Sequence, residues 1–168
     1  MDALPSTGRQ LRLPCVVAMV AWLALSVGAC TGSALPPSPT PADFGGISQI
    51  LQTRGLTIVA VRSGDAGCPD TDLAKTAISF HASGLDQVAP VQLYLYIFHD
   101  HDVFTRRSTG IGGCAASYVT DATTYESLAI SPYVLSGQGP WSAAFKEQLR
   151  LGLTAAAGDG GANAGPAE

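Results

Sequence analysis

The chain has 168 residues, 46% of them hydrophobic, and a formal net charge of −4. Arg106 and Arg107 are its only adjacent pair of basic residues, whereas binding to nucleic acid or to anionic lipid requires clustered cations. The composition therefore argues against a nucleic-acid partner, and the length suits one small domain.

The N-terminal segment has the organisation of a secretory signal. Arg9 and Arg12 precede an uncharged apolar run at residues 15–29, which ends in small residues. A basic start, a short apolar middle and a small-residue end are typical of export signals. The run is shorter than the roughly 20 apolar residues that span a bilayer comfortably. Residues 1–29 are therefore predicted to be a signal peptide.

The end of this segment, Val27-Gly28-Ala29-Cys30, resembles the lipobox of bacterial lipoproteins: an aliphatic residue, two small residues and a cysteine. The resemblance implies cleavage before Cys30 and lipidation of its thiol, with acyl chains such as palmitate. Each buried methylene contributes about 0.8 kcal/mol, so two or more chains attach a protein lastingly. The expected location is the outer, extracytoplasmic face of the cell membrane. An ordinary signal cut near Ala34 and an uncleaved anchor are the alternatives.

Low-complexity segments flank the predicted domain. Residues 30–42 contain four prolines among small residues, a composition that favours an extended tether. Residues 155–168 are almost entirely Ala and Gly and are expected to be a disordered tail. This leaves residues 43–154 as a single folded domain.

The cysteines predict a disulfide. Cys15 belongs to the signal and Cys30 to the lipobox, which leaves Cys68 and Cys114. An even pair in an exported protein is expected to be oxidised. A metal or redox role for the two thiols lacks support, because neither lies in a Cys-x-x-Cys motif.

Apolar periodicity and turn residues predict the elements of the domain. The C-terminal helix is the clearest case, with a single apolar stripe of Trp141, Phe145, Leu149 and Leu153. The resulting fold class is α+β, a small three-stranded sheet with helices packed mainly on one face and one disulfide. The predicted elements are helices at 43–54, from 70 or 71 to just before Gly84, and from Pro140 onward; strands at 56–62, 91–98 and 124–130; a helical turn within 99–107; and a loop at 131–139.

The string His99-Asp100-His101-Asp102 follows the strand at 91–98 and is the first candidate site. Imidazole and carboxylate groups are metal ligands, and His99 and His101 would point the same way if the strand continued. We therefore treat His99, His101 and Asp102 as candidate metal ligands. The alternative is a polar strand exit in which one aspartate caps the following turn.

Two aromatic groups are candidates for binding. Tyr94 and Tyr96 lie on the side of the strand opposite its aliphatic residues, while Tyr133 and Trp141 flank a segment rich in Pro and Gly. Exposed aromatics on rigid segments favour recognition of a protein or sugar partner. The alternatives are that the strand face is covered, for example by the C-terminal helix, and that Trp141 packs in the core.

No catalytic set can be assembled from the sequence. The serines lack a nucleophile-elbow motif and the glycine-rich segments lack nucleotide-binding spacing. The interpretation is a membrane-anchored extracytoplasmic lipoprotein without a cofactor, a non-enzymatic binding or structural module rather than an enzyme. Its partners would be the membrane, through the lipid, and an envelope protein or sugar. The alternative is a metal-assisted hydrolase using the string from His99 to Asp102.

Overall fold

The computed structural model describes residues 43–158. The predicted signal peptide, Cys30, the tether at 30–42 and residues 159–168 lie outside this part. Between residues 43 and 158, no helix has the length and apolar character needed to cross a bilayer.

One antiparallel sheet forms the centre of the described domain. Its strands lie in the order β1-β2-β3-β5-β4, and each neighbouring pair is antiparallel. The strands are β1 (Leu56–Ser63), β2 (Ala77–Gly84), β3 (Gln87–Ile97), β4 (Tyr125–Ile130) and β5 (Tyr133–Gln138).

Two long helices and several short ones accompany the sheet. The long helices are the first and last elements, and the short ones occupy the connections after β1 and β3. The helices are α1 (Phe44–Thr53), α2 (Thr71–Ala74), α3 (His101–Arg107), α4 (Ile111–Ala115) and α5 (Ala143–Ala157), with 3₁₀ turns at Ser108–Gly110 and Ala122–Thr124.

The prediction of a three-stranded sheet is wrong, because the described residues form five strands. The segment predicted as a helix up to Gly84 is helical only over α2 and then becomes β2. The segment predicted as the loop 131–139 contains β5, between β3 and β4. Helix α5 also continues through residues 155–157, where the tail was expected to begin, and Ala156 is buried.

Burial on both faces explains why strands β2 and β5 were missed. Strand β5 is buried from Tyr133 through Gly137, so it lacks the alternation of apolar and polar residues that identifies a half-exposed strand. In β2, Phe80 and Ala82 face one side while Ala77 and Ser79 face the other, and all four are buried. Apolar residues on both sides of a short strand can equally match helical spacing.

Helices α1 and α5 cover one side of the sheet, which we call the helix face. Ile47 and Leu51 of α1 and Leu149 of α5 pack with Leu93 and Leu95 of β3, and all five are buried. Helix α1 begins at a cap in which Asp43 Oδ1 accepts a hydrogen bond from the Gly46 amide at 2.8 Å. The two helices that the sequence predicted most clearly therefore form one layer.

A disulfide-linked layer covers the other side, which we call the disulfide face. Cys68 and Cys114 are bonded, with a Cα–Cα distance of 5.4 Å, as predicted. The layer comprises residues 64–76 and 98–121, whose buried Ala66, Leu73 and Ile111 pack against the sheet in one core cluster. The sheet therefore lies between two different layers, with the long helices α1 and α5 on one side and the disulfide-linked layer on the other.

Candidate functional site

The aromatic side of β3 faces the disulfide layer, and neither Tyr94 nor Tyr96 forms an open binding surface. Tyr96 is fully buried, and Tyr94 stacks on Tyr118 with ring centroids 4.2 Å apart. Gly67 lies against both stacked rings, because a Cβ at this position would be 2.6 Å from Tyr118 and 2.7 Å from Tyr94. The cover is thus the disulfide layer and not the C-terminal helix.

Hydrogen bonds hold the phenols of this layer. Tyr96 Oη donates to the Ala66 carbonyl at 2.8 Å, and Tyr118 Oη lies 2.7 Å from Ser136 Oγ. Burial raises the pKa values of Tyr94, Tyr96 and Tyr118. The network satisfies buried polar groups and joins the disulfide layer to β3 and β5, so we interpret it as structural.

Tyr133 and Trp141 lie in the other cluster, the core of the helix face, and are 1% and 5% exposed. Trp141 Nε1 donates to the Gln138 carbonyl at 3.2 Å, and the indole packs edge-on to Phe145 with ring centroids 6.5 Å apart. Burial raises the pKa of Tyr133. The four candidate binding aromatics are therefore divided between two faces and contribute to packing.

The residues of the string from His99 to Asp102 have different roles. Asp100 caps α3, because its Oδ1 accepts a hydrogen bond from the Val103 amide at 2.8 Å. His101 Nδ1 lies 3.0 Å from Ser131 Oγ, and its ring stacks on Phe104. Asp102 is exposed in the first turn of α3. Across residues 43–158 no three His, Cys, Asp or Glu residues are grouped to hold a metal ion.

The contact between His101 and Ser131 was not anticipated from the sequence. Ser131 is only 5% exposed and precedes β5, thirty positions from His101. Neither residue belongs to a motif that would have paired them, so only the fold brings them together. The contact fixes the start of α3 to the connection between β4 and β5.

His99 alone among the candidate ligands lines a cleft. The cleft has a volume of about 350 Å³ and opens where β1 and β3 end and β2 begins. It is at the lower end of the size range of small-ligand pockets, roughly 300–1,000 Å³. Its lining residues are Ser63, Lys75, Thr76, Ala77, Ile78, Ile97, Phe98 and His99.

The apolar wall of Ile78 and Ile97 continues the helix face beyond its helical cover, whereas residues 75–76 and 98–99 of the lining belong to the disulfide layer. Ser63 pairs with Ile78 in the sheet, and Ile78 lies two residues from Phe80 on the same face. The Phe44 ring at the start of α1 packs on Phe80 with centroids 5.3 Å apart. Ile78 and Ile97 pack against this core but stay only half-buried. Apolar surface is thus left accessible at this end of the sheet.

No protein-family model, curated protein or solved structure matches the chain. Functional inference therefore depends on the cleft and on the sequence of the N-terminal segment.

Proposed function

We propose that this chain is a lipid-anchored, extracytoplasmic binding module without catalytic activity, and that its cleft holds a small ligand. The module would be attached through Cys30 to the outer face of the cell membrane, and the tether at 30–42 would hold the domain away from the lipid headgroups.

The cleft is the observation that carries the binding part of the proposal. Ile78 and Ile97 offer apolar surface, while Ser63, Thr76 and His99 place polar groups around it. Apolar walls with a few polar groups are the usual construction of small-ligand sites.

The contacts of the His-Asp string favour ligand binding over metal-assisted hydrolysis. Asp100 is engaged with the Val103 amide and His101 with Ser131. Only His99 of the string lines the cleft. A catalytic zinc ion usually has three protein ligands, and the string does not bring three to one place.

The lipobox resemblance of Val27-Gly28-Ala29-Cys30 supports the anchoring part, together with the charged start and apolar run that precede it. Metabolic labelling with palmitate and mass measurement of the protein from membranes test this part. We expect Cys30→Ser to abolish labelling and the lipid mass. Cys15→Ser is the matched control and should leave both unchanged, because Cys15 lies within the signal.

The mass of the attached lipid decides the outcome, and membrane association does not, because an uncleaved signal can itself hold a chain at a membrane. A Cys30→Ser protein that still carries acyl chains would refute the anchor.

The binding part is tested with hexan-1-ol, a small neutral probe with an apolar body. The protein is the full chain in lipid nanodiscs, and titration of empty nanodiscs is subtracted. Thr76→Trp should fill the cleft from an exposed position and abolish binding, whereas Thr57→Trp, also at an exposed position but outside the cleft lining, should retain it. Equal binding by both variants, or none by the unaltered protein, would refute a ligand site in the cleft.

A further inference from the structure

The ionisable groups around the cleft are unbalanced in sign. Lys75 and His99 line it, and its described lining contains no Asp or Glu. A lining that contributes a cation and an imidazole but no carboxylate of its own favours an anion, for which Asp72, the surface partner of Lys75, is the competing carboxylate. The charge of the whole chain has the opposite sign, −4, so the selectivity would be local to the cleft.

Lys75 has a partner in this structure, but the pair is exposed. Its Nζ lies 2.9 Å from Asp72 Oδ1, and the two side chains are 72% and 64% exposed. The hydrogen bond and charge of Lys75 lower the pKa of Asp72. Exposed pairs of this kind contribute little to stability, so the ammonium group can exchange Asp72 for a ligand anion at small cost.

The apolar part of the cleft lies beside these polar groups. Ile78 and Ile97 are half-buried, and Phe98, which also lines the cleft, is 5% exposed because it packs in the core cluster of the disulfide face. A ligand that contacted Lys75 alone would leave this apolar surface exposed to water, whereas a ligand with an alkyl or aryl group would cover it. The volume of about 350 Å³ suits one short chain or ring and is small for a lipid with two acyl chains.

We infer that the cleft binds a small amphipathic carboxylate, with its apolar body against Ile78 and Ile97 and its carboxylate at Lys75 and His99. This inference rests on the proposed function and names the ligand class of the same cleft. The carboxylate would accept charge-assisted hydrogen bonds, which are stronger than those between neutral groups.

Three linear probes of six carbons each, which differ in their head group, separate the head-group preference from apolar binding. Hexanoate, hexan-1-ol and hexylammonium are titrated by calorimetry into the full chain in nanodiscs, with empty nanodiscs subtracted. Hexanoate should bind roughly tenfold more tightly than hexan-1-ol, the factor expected for one charge-assisted hydrogen bond. Hexylammonium should bind most weakly.

Lys75→Gln should reduce hexanoate affinity by roughly tenfold and leave hexan-1-ol affinity unchanged. Lys146→Gln is the matched control, because Lys146 is also paired with an acid, Glu126, but lies on α5 and outside the cleft lining. It should bind both probes as the unaltered protein does.

Two outcomes would overturn the inference in distinguishable ways. Equal affinity for hexanoate and hexan-1-ol, with both lost in Thr76→Trp, would refute the anion preference and leave the proposed cleft intact. Absence of binding by all three probes would refute the proposed ligand site together with the inference.

Discussion

Asp86 caps helix α5 from a distant part of the chain by accepting a hydrogen bond from the Phe145 amide, with Oδ1 3.1 Å from the nitrogen. Its Oδ2 accepts a second bond from the Ala144 amide at 3.2 Å. Ser142, at the N-cap position, donates its hydroxyl to Asp86 and makes no side-chain cap of its own. The turn between β2 and β3 thereby satisfies the free amides of α5 and places a negative charge at its N-terminus.

Substitution of Asp86 should destabilise the fold in a pH-dependent manner. The hydrogen bond from Ser142 is the main cause that lowers the pKa of Asp86, and the Ala144 and Phe145 amides add to it. A carboxylate with a lowered pKa stabilises the fold above its unfolded pKa of about 4, and this contribution disappears as the pH falls through the folded value. We therefore expect Asp86→Asn to lower the urea midpoint at neutral pH, and the difference to vanish in acid.

The control for this prediction is Asp102→Asn, which changes an exposed acid on α3 instead. A similar loss of stability in both variants at neutral pH would contradict a specific cap by Asp86.

Removal of the disulfide should loosen the layer over Tyr94 and Tyr96. The bond joins cysteines 46 positions apart, for which the chain-entropy model gives a stabilisation of about 4 kcal/mol. The double substitution Cys68→Ala, Cys114→Ala should lower the free energy of unfolding by about 2–5 kcal/mol. Urea unfolding of the full chain measures the change. Addition of a reductant should then destabilise the unaltered protein but not the double variant, and a loss below about 1 kcal/mol would contradict the prediction.

Gly67→Ala should be costly because a Cβ would meet the stacked rings of Tyr94 and Tyr118 at 2.7 and 2.6 Å. The residue also has φ of +70°, which adds strain for any side chain. We expect a loss of about 1–3 kcal/mol and a change in the near-ultraviolet circular dichroism of the tyrosines. Gly113→Ala is the control, since its Cβ would meet nothing within 4 Å, and it should be neutral or stabilising by up to about 1 kcal/mol. Equal stability of the two variants would show that Gly67 is not tightly packed.

The buried phenols should make the protein sensitive to alkali. Burial raises the pKa values of Tyr96 and Tyr118, so the folded protein keeps these protons when the unfolded chain would release them. The stabilisation is complete below the unfolded tyrosine pKa of about 10 and is lost as the pH rises above it. Tyrosinate absorbance should rise together with the loss of near-ultraviolet circular dichroism, as one cooperative step.

Tyr118→Phe should remove one phenol from that step and lower the free energy of unfolding by about 1–2 kcal/mol, because buried Ser136 loses its hydrogen bond with Tyr118. Ionisation of all tyrosines near pH 10 in a protein that stays folded would refute the buried network.

The local sequence pattern predicted an element correctly where only one of its faces is covered or where a helix-stopping residue marks its end. Helix α1 was predicted from its apolar spacing and from Gly55 as a stop, and α5 from the stripe that begins at Trp141. Strand β2 was missed because both of its faces are covered. Strand β5 was missed because Ser136 and Gly137 resemble loop residues, yet a Cβ at Gly137 would lie 2.5 Å from the Gln92 carbonyl oxygen. Close approach of neighbouring strands requires glycine there, and that approach exists only in the assembled sheet.

The candidate site likewise combines a residue that the sequence identified with contacts that only the fold creates. The sequence identified His99 as a candidate metal ligand. Ile78 and Ile97, which line the cleft beside it, come from different strands and were not associated with it. The partnership of His101 with Ser131 and the position of Tyr96 beneath the disulfide layer likewise depend on contacts between distant segments.

By itself, the sequence determined the pairing of Cys68 with Cys114 and the amphipathic helices, because cysteine number and apolar periodicity are local or countable properties. The lipobox resemblance at Cys30 likewise comes from the sequence alone, and anchoring through it stays a prediction. Only the tertiary structure decided how many strands the sheet contains, which aromatic residues are buried, and that Lys75 and His99 border the same apolar cleft. Those features depend on which faces are covered and on strand order, since a strand that is covered on both faces loses the alternation of apolar and polar residues that would reveal it.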